Sequence, residues 1–326
     1  MIETQGEFEE RGYELISQVV EDRWGVLYRA RYSPHDLDVL LRAFPPSLAG
    51  EPKAWDLMSA EISAWARLNH PGVLGVLDWG MSEKGPYAAY RAPSGAPLAE
   101  LLASGPAEDP DSLFAQILEA VETARRWGIL HLGLGGSSIW AGPRVEVSEF
   151  GFWYVTGEYP AAGIGDEAFL APEQRKGERV SAATDVYTLG LLLVALRLGL
   201  QAARDAVGGA PLPEALGEIR GIVARCLDER PLARLRSAGE LAAELGVDIG
   251  PPGGREFMDC PLCRLKRELS RRVMSEEARG AGDAEQGERC GTLRAAAGID
   301  YRRLLPWALI VCLAAASVAV WLFALK

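Results

Sequence analysis

His131–Trp153 reads HLGLGGSSIWAGPRVEVSEFGFW and divides into a glycine-rich loop up to Ser138, a short turn at Ala141–Pro143, and the segment RVEVSEF, closing on Phe150-Gly151. Alternation of apolar and polar residues over that last segment predicts a strand. His131 has Gly133 beside it and no partner at hand to orient it, which argues against a role as proton carrier.

Upstream, Asp109-Pro110 pairs an N-cap residue with a proline at the first helical position. Leu113, Ile117, Val121 and Ala124 make one apolar stripe, and Gly128 ends that helix and delivers the chain to His131. Residues 52–68 predict another helix, with Trp55, Met58, Ile62 and Trp65 spaced three, four and three apart and Glu61 inside. Before it, YELISQVV, GVLYRARY and DVLLRAF predict three strands, and after it come RLNHPGVLGVLDWG and a strand PYAAYRAP carrying Tyr90. Downstream lie FLAPEQ, TDVYTLGLLLVALRLG and GIVARCLDERPLARLRSAGELAAEL. The apolar run in the second of these is too short to span a membrane and reads as a central buried helix.

Taken in order, these motifs resemble the eukaryotic-like (bacterial) serine/threonine protein kinase family over about residues 10–246. The resemblance implies an α+β, bilobal protein-kinase-like fold over 1–249, with a small β-rich N-lobe and a helical C-lobe. It assigns fold-holding roles to His131, Phe150, Gly151, Glu173, Asp185 and Arg234, with Asp185 holding the backbone of the loop at His131 and Glu173 pairing with Arg234. Tyr90 falls at the gatekeeper position, and Arg91–Pro93 form a hinge whose backbone groups would hold an adenine edge.

The residues that would do chemistry depart from the family. Where it reads H-R-D-L-K-P-x-N, this chain has Leu132, Gly133, Gly135 and Ser138, and Glu149 replaces the aspartate before Phe-Gly. Gly133 has no side chain to accept a hydroxyl proton, Gly135 offers no cation, and Glu149 shifts a carboxylate by one methylene although magnesium demands near-ideal geometry. In the nucleotide loop Val20 and Asp22 stand at the first two glycine positions and only Gly25 remains; Arg42 replaces the strand lysine, within reach of Glu61. Gly25, Arg42, Glu61 and Tyr90 are thus the remnants of a cleft. The expectation is a pseudokinase: not an enzyme, with no cofactor required, acting as a scaffold or regulator through protein binding. Two alternatives stand beside it, an atypical active serine/threonine protein kinase using ATP and Mg, and a nucleotide or ligand sensor whose lobes close without transfer.

Of the 34 basic and 45 acidic residues, 22 and 36 fall in 1–250, an acidic balance that argues against nucleic acid as a partner. Residues 250–303 read as a flexible linker and juxtamembrane segment opening on GPPGG. Within it Cys260-x-x-Cys263, with Cys290 as a third candidate, resembles half of a zinc knuckle; Zn needs four ligands, and a pair of cytosolic thiols is the other reading. Residues 304–325 carry no charge, about 33 Å as a helix against a hydrocarbon core of about 30 Å, and predict one transmembrane helix. Arg302-Arg303 before it, and an N-terminus without a signal peptide, place the N-terminal domain in the cytoplasm of a single-pass protein of the cell membrane. The expected partners are proteins at that membrane, an active kinase or a cell-envelope protein.

Overall fold

Five strands, β1 (Tyr13–Asp22), β2 (Gly25–Tyr32), β3 (Leu37–Ala43), β4 (Val76–Ser82) and β5 (Gly85–Arg91), form an antiparallel sheet in the order β1-β2-β3-β5-β4. The computed structural model describes residues 5–22, 24–49, 52–82, 85–152 and 170–250. All of them belong to one compact unit, 1–271; the second unit, 272–326, lies outside the described residues, as do Cys260, Cys263, Cys290 and the predicted membrane span. Among the described residues no helix is long and apolar enough to cross a membrane.

The period of two along a strand explains why β3 reads as an unbroken apolar run. Val39 and Leu41 join one core with Tyr13, Leu77, Tyr87 and Ala89, while Leu40 joins a second, larger core with Ala88, Tyr90 and the helical lobe. Both faces of the strand are covered. Arg42, two residues after Leu40, points the same way and is held in register opposite Leu27 of β2 and Ala88 of β5.

The helices are α1 (Gln5–Glu10), α2 (Pro46–Ala49), α3 (Pro52–Ala66), α4 (Leu98–Ala103), α5 (Pro110–Arg126), α6 (Pro172–Arg175), α7 (Ala182–Leu198), α8 (Leu200–Val207), α9 (Arg220–Cys226) and α10 (Ala238–Glu244). On α3 the predicted spacing holds: Met58, Ile62 and Trp65 are buried together. On α5 the Asp109 carboxylate accepts from the Ser112 N–H at 3.1 Å, the cap expected from the sequence. The stripe there is wider than predicted, because Phe114 and Leu118 are buried too while Leu113 is only partly so. Ser181 caps α7 in a reciprocal arrangement with Thr184, and Val186–Leu196 are buried on every side, as a helix apolar all round must be.

Between the lobes a small sheet runs β6 (Ala96–Pro97), β7 (Ile139–Ala141), β8 (Glu146–Val147). The strand predicted from RVEVSEF is therefore much shorter than its pattern. Val145 N–H goes to the Gln116 side chain and Ser148 N–H to Ser138 O, and the backbone then turns into the left-handed region at Glu149, with φ of 64°. Residues 145–150 are all buried, so the alternation does not mark an inside and an outside.

Candidate functional site

The first feature of the cleft is Arg42, whose guanidinium is 0% exposed. Its Nε and Nη2 donate to Glu149 Oε1 at 3.0 and 2.5 Å, and its Nη1 donates to Asp22 Oδ1 at 2.9 Å. One cation from the sheet thus gathers two carboxylates, one from the end of β1 and one from the segment after β8. Burial alone would lower the Arg42 pKa; Glu149, and after it Asp22, outweigh that and raise it. Burial raises the Glu149 pKa despite Arg42, with Asp22 pushing the same way, because one guanidinium cannot neutralise two carboxylates.

The pairing of Arg42 with Glu61 expected from the sequence is not what forms. Glu61, on α3, lies over the Cα of Gly151, where any Cβ would overlap its carboxylate, and burial raises its pKa. From the sequence Asp22 is a lost glycine that adds negative charge to the loop; in the structure that charge is the second anion on Arg42. The retained Gly25 also has a local reason: with φ of 94° it crosses so close to the Ala43 carbonyl that a side chain has no room.

Beneath Arg42 a column of rings joins the lobes. His131 lies 4.7 Å from Phe150, Phe150 lies 6.3 Å from Trp65, and Trp65 lies 4.8 Å from Tyr90, by ring centroids. Tyr90 is fully buried behind the cleft, as a gatekeeper would be; its hydroxyl, near Arg42, completes no hydrogen bond among the described residues. Neither does Trp65 Nε1 or Asp22 Oδ2. Phe152 turns up under the β1–β2 turn, edge-on to Trp24 at 5.7 Å and to Phe44 at 5.6 Å.

The glycine-rich loop is held from below. Asp185 accepts from the backbone N–H of His131 at 3.0 Å and of Leu132 at 2.7 Å, the role the resemblance gave it. Burial raises its pKa to about 6 although those two donors oppose the shift. His131 donates from Nε2 to Ser148 O at 2.9 Å and accepts at Nδ1 from Gly133 N–H at 3.3 Å, which fixes a neutral ring. Burial lowers its pKa to about 4. Leu132 sits in the left-handed region with φ of 59°, held by Asp185 and by Gln174 Nε2 donating to its carbonyl at 2.7 Å. The Ser138 hydroxyl is turned inward to Gly135, accepting from its N–H at 3.0 Å and donating to its carbonyl at 3.2 Å. Gly133 and Gly135 bring only backbone.

Further down, Glu173 and Arg234 form the expected pair, bidentate at 2.8 and 2.8 Å. Sequence reasoning missed Glu146, which accepts from the Arg91 guanidinium and from Ser94 N–H at 2.8 Å and so fastens the hinge to β8. Its only signal was a carboxylate inside a strand pattern that proved to be wholly buried.

No family model matches the chain. Among curated proteins it is 29% identical over 276 residues to "Probable serine/threonine-protein kinase SCO3848" of Streptomyces coelicolor, covering 74% of this chain and 41% of that one. It is 29% identical over 206 residues to serine/threonine-protein kinase pkn3 of Myxococcus xanthus and 27% over 245 residues to PknB of Mycobacterium leprae, with 38% and 39% of those chains covered. The crystal structure of the Mycobacterium tuberculosis PknI kinase domain superposes with a TM-score of 0.57 at 20% identity, over 72% of this chain and 95% of that one. The chain is a relative of bacterial serine/threonine protein kinases. The kinase-like domain spans about two fifths of the length of the curated relatives it matches. Those relatives, which align over 58–74% of this chain, carry the name serine/threonine-protein kinase, and this corrects the expectation that the chain is not an enzyme. The physical reason is that phosphoryl transfer rests mainly on positioning and charge neutralisation. A cation at Arg42 and an anion at Glu149 survive, in contact, although the losses at Leu132, Gly133, Gly135 and Ser138 taken together argued against activity.

Proposed function

We propose that this chain is an atypical serine/threonine-kinase-type signalling domain whose cleft takes a magnesium nucleotide when the contact between Arg42 and Glu149 opens. The observation that carries the reading is the Arg42–Glu149 pair itself, a buried cation and carboxylate meeting at 2.5 Å between the lobes. The donor set fits the phosphate and metal end of such a ligand: Arg42 would hold phosphate oxygens, and Glu149 with Asp22 Oδ2, which has no partner among the described residues, would hold the metal. Bound there, the ligand would supply a phosphoryl group for a serine or threonine hydroxyl. Gly133 takes no proton from that hydroxyl, but a loose transition state asks little of a base, so the reading predicts slow turnover.

A second reading, a scaffold or regulator acting on a protein partner at a membrane, draws support from the same triad. A guanidinium satisfied by two carboxylates stabilises the closed lobes without a ligand, leaving partner binding as the output. The C-terminal span over residues 304–325, with the domain on the cytoplasmic side, belongs to both readings.

Thermal unfolding of the full chain with ATP, with and without magnesium, separates the two. A ligand at about a hundred times its Kd adds about 2.7 kcal/mol. A magnesium-dependent shift, with transfer of labelled phosphate to a protein substrate that Arg42→Met abolishes, is the expected result. No shift and no transfer at millimolar nucleotide sinks the phosphotransfer reading and leaves partner binding.

A further inference from the structure

The crossing from β5 to β6, Arg91–Ser94, is the stretch along which a nucleotide base would lie in the reading above, and its hydrogen-bond donors can be counted one by one. Arg91 N–H donates to Gly75 O at 2.8 Å. Ala92 N–H donates to Asp38 O at 3.3 Å. Pro93 has no N–H. Ser94 N–H donates to Glu146 Oε2 at 2.8 Å. The side-chain donors are engaged as well: Ser94 Oγ donates to Glu146 Oε2 at 3.2 Å, and the Arg91 guanidinium is held by Glu146 and by the Ala92 carbonyl. The acceptor in three of these bonds, the Glu146 carboxylate, is itself buried. Gly95 then packs so closely on Ala141 that a side chain has no room there, which fixes the crossing against β7.

A segment that recognises adenine must offer a donor to a ring nitrogen beside an acceptor for the exocyclic amine. On this one every N–H donor is engaged or missing, so only carbonyl oxygens are left to meet a base. Adenine and cytosine each carry an exocyclic amine, guanine an amine and a ring N–H, and uracil a ring N–H, so an acceptor-only edge has something to take from each of them. Discrimination arises when a site's polar groups are left unpaired by the wrong ligand. Here adenine's ring nitrogens go unpaired no less than the acceptors of the other bases. We infer that the cleft does not read the base: it binds nucleoside triphosphates through their phosphates, and Pro93 together with the Glu146 clamp on Ser94 removes selectivity for ATP.

The inference rests on the nucleotide reading of the cleft, so its test includes a ligand without a base. The full chain is titrated with ATP, GTP, CTP, UTP and inorganic tripolyphosphate, each with magnesium, and binding is read by calorimetry. The four nucleotides should fall within about threefold of one another, a spread smaller than one net hydrogen bond. Pro93→Ala restores an N–H and Glu146→Ala frees that of Ser94; at least one of them should raise the preference for ATP over UTP toward about tenfold. Wild-type binding of ATP tenfold or more tighter than CTP and UTP overturns the inference while leaving the nucleotide reading intact. Two folded variants that leave the ratio unchanged also overturn it. If neither nucleotide nor tripolyphosphate binds, the nucleotide reading fails and this inference fails with it.

Discussion

Among the described residues two buried arginines hold carboxylates, and they do so in opposite ways. Arg234, in the helical lobe, spends every donor: both Nη atoms reach Glu173, and Nη1, Nε and Nη2 also reach the carbonyls of Ala183, Asp228 and Glu229. Thr184 Oγ1 adds a further donor to Glu173 at 2.8 Å, and the guanidinium lies 4.9 Å from the Tyr187 ring. The Glu173 pKa falls: burial pushes it up, and the Arg234 hydrogen bonds more than reverse that. Arg42 in the cleft instead shares one guanidinium between two carboxylates, the Glu149 pKa rises, and the nearby Asp22 Oδ2 and Tyr90 hydroxyl have no partner among the described residues. A closed, satisfied network fixes a fold. An under-satisfied one breaks the local rule, as functional sites do.

The largest expected effect breaks the satisfied pair. Arg234→Ala leaves Glu173, 1% exposed, as a buried charge without its cation, which costs about 3–5 kcal/mol. In a domain of this size that lowers Tm by about 10 °C or more, read by thermal or denaturant unfolding. A loss under about 1 kcal/mol would place this pair with surface ion pairs and remove one side of the comparison.

The cleft pair should break more softly. Arg42→Met also strands Glu149, yet that carboxyl is already pulled toward its protonated form and can neutralise, so the loss should be roughly 1–3 kcal/mol. Adding Glu149→Met should recover part of it, because two apolar groups of similar volume replace a costly ion pair. A double variant less stable than the Arg42→Met single would mean that the cleft triad holds the fold as firmly as Glu173–Arg234 does.

The sequence made the satisfied half legible and the other half not. Glu173, Asp185 and Arg234 carry motif positions whose partners are fixed by the fold, and each meets the predicted partner or backbone. Arg42 and Asp22 occupy motif positions with changed residue types, while Glu61 keeps the family's residue type and loses its expected partner, so the motif named the place but not the pairing. The forked arginine gathers two carboxylates that a compact ammonium would not bridge in this way. Glu146 was illegible for a different reason. Its partners, Arg91 and Ser94, are about fifty residues away, and only the lobe crossing brings them together.

The smallest effect sharpens the comparison at the base of the ring column, where two buried groups titrate in opposition. The His131 pKa is depressed to about 4, so its contribution to stability is full above its ordinary value of 6.5 and is lost as pH falls through about 4. Protonation there would set an Nδ1–H against the Gly133 N–H it now accepts from. Asp185 runs the other way: raised to about 6 from 3.8, its contribution is full below 3.8 and is lost as pH rises through about 6. Between about pH 4 and 6 the two contributions oppose and largely cancel. Asp185→Asn keeps an acceptor for the Leu132 and His131 N–H groups while removing the second titration. The variant should therefore lose stability on acidification more steeply than the wild type, by a slope approaching one proton, about 1.4 kcal/mol per pH unit. Unfolding by denaturant at intervals of half a pH unit measures both slopes. Parallel curves would show that Asp185 is ionised throughout, held by its two N–H donors as firmly as Glu173 is held by Arg234.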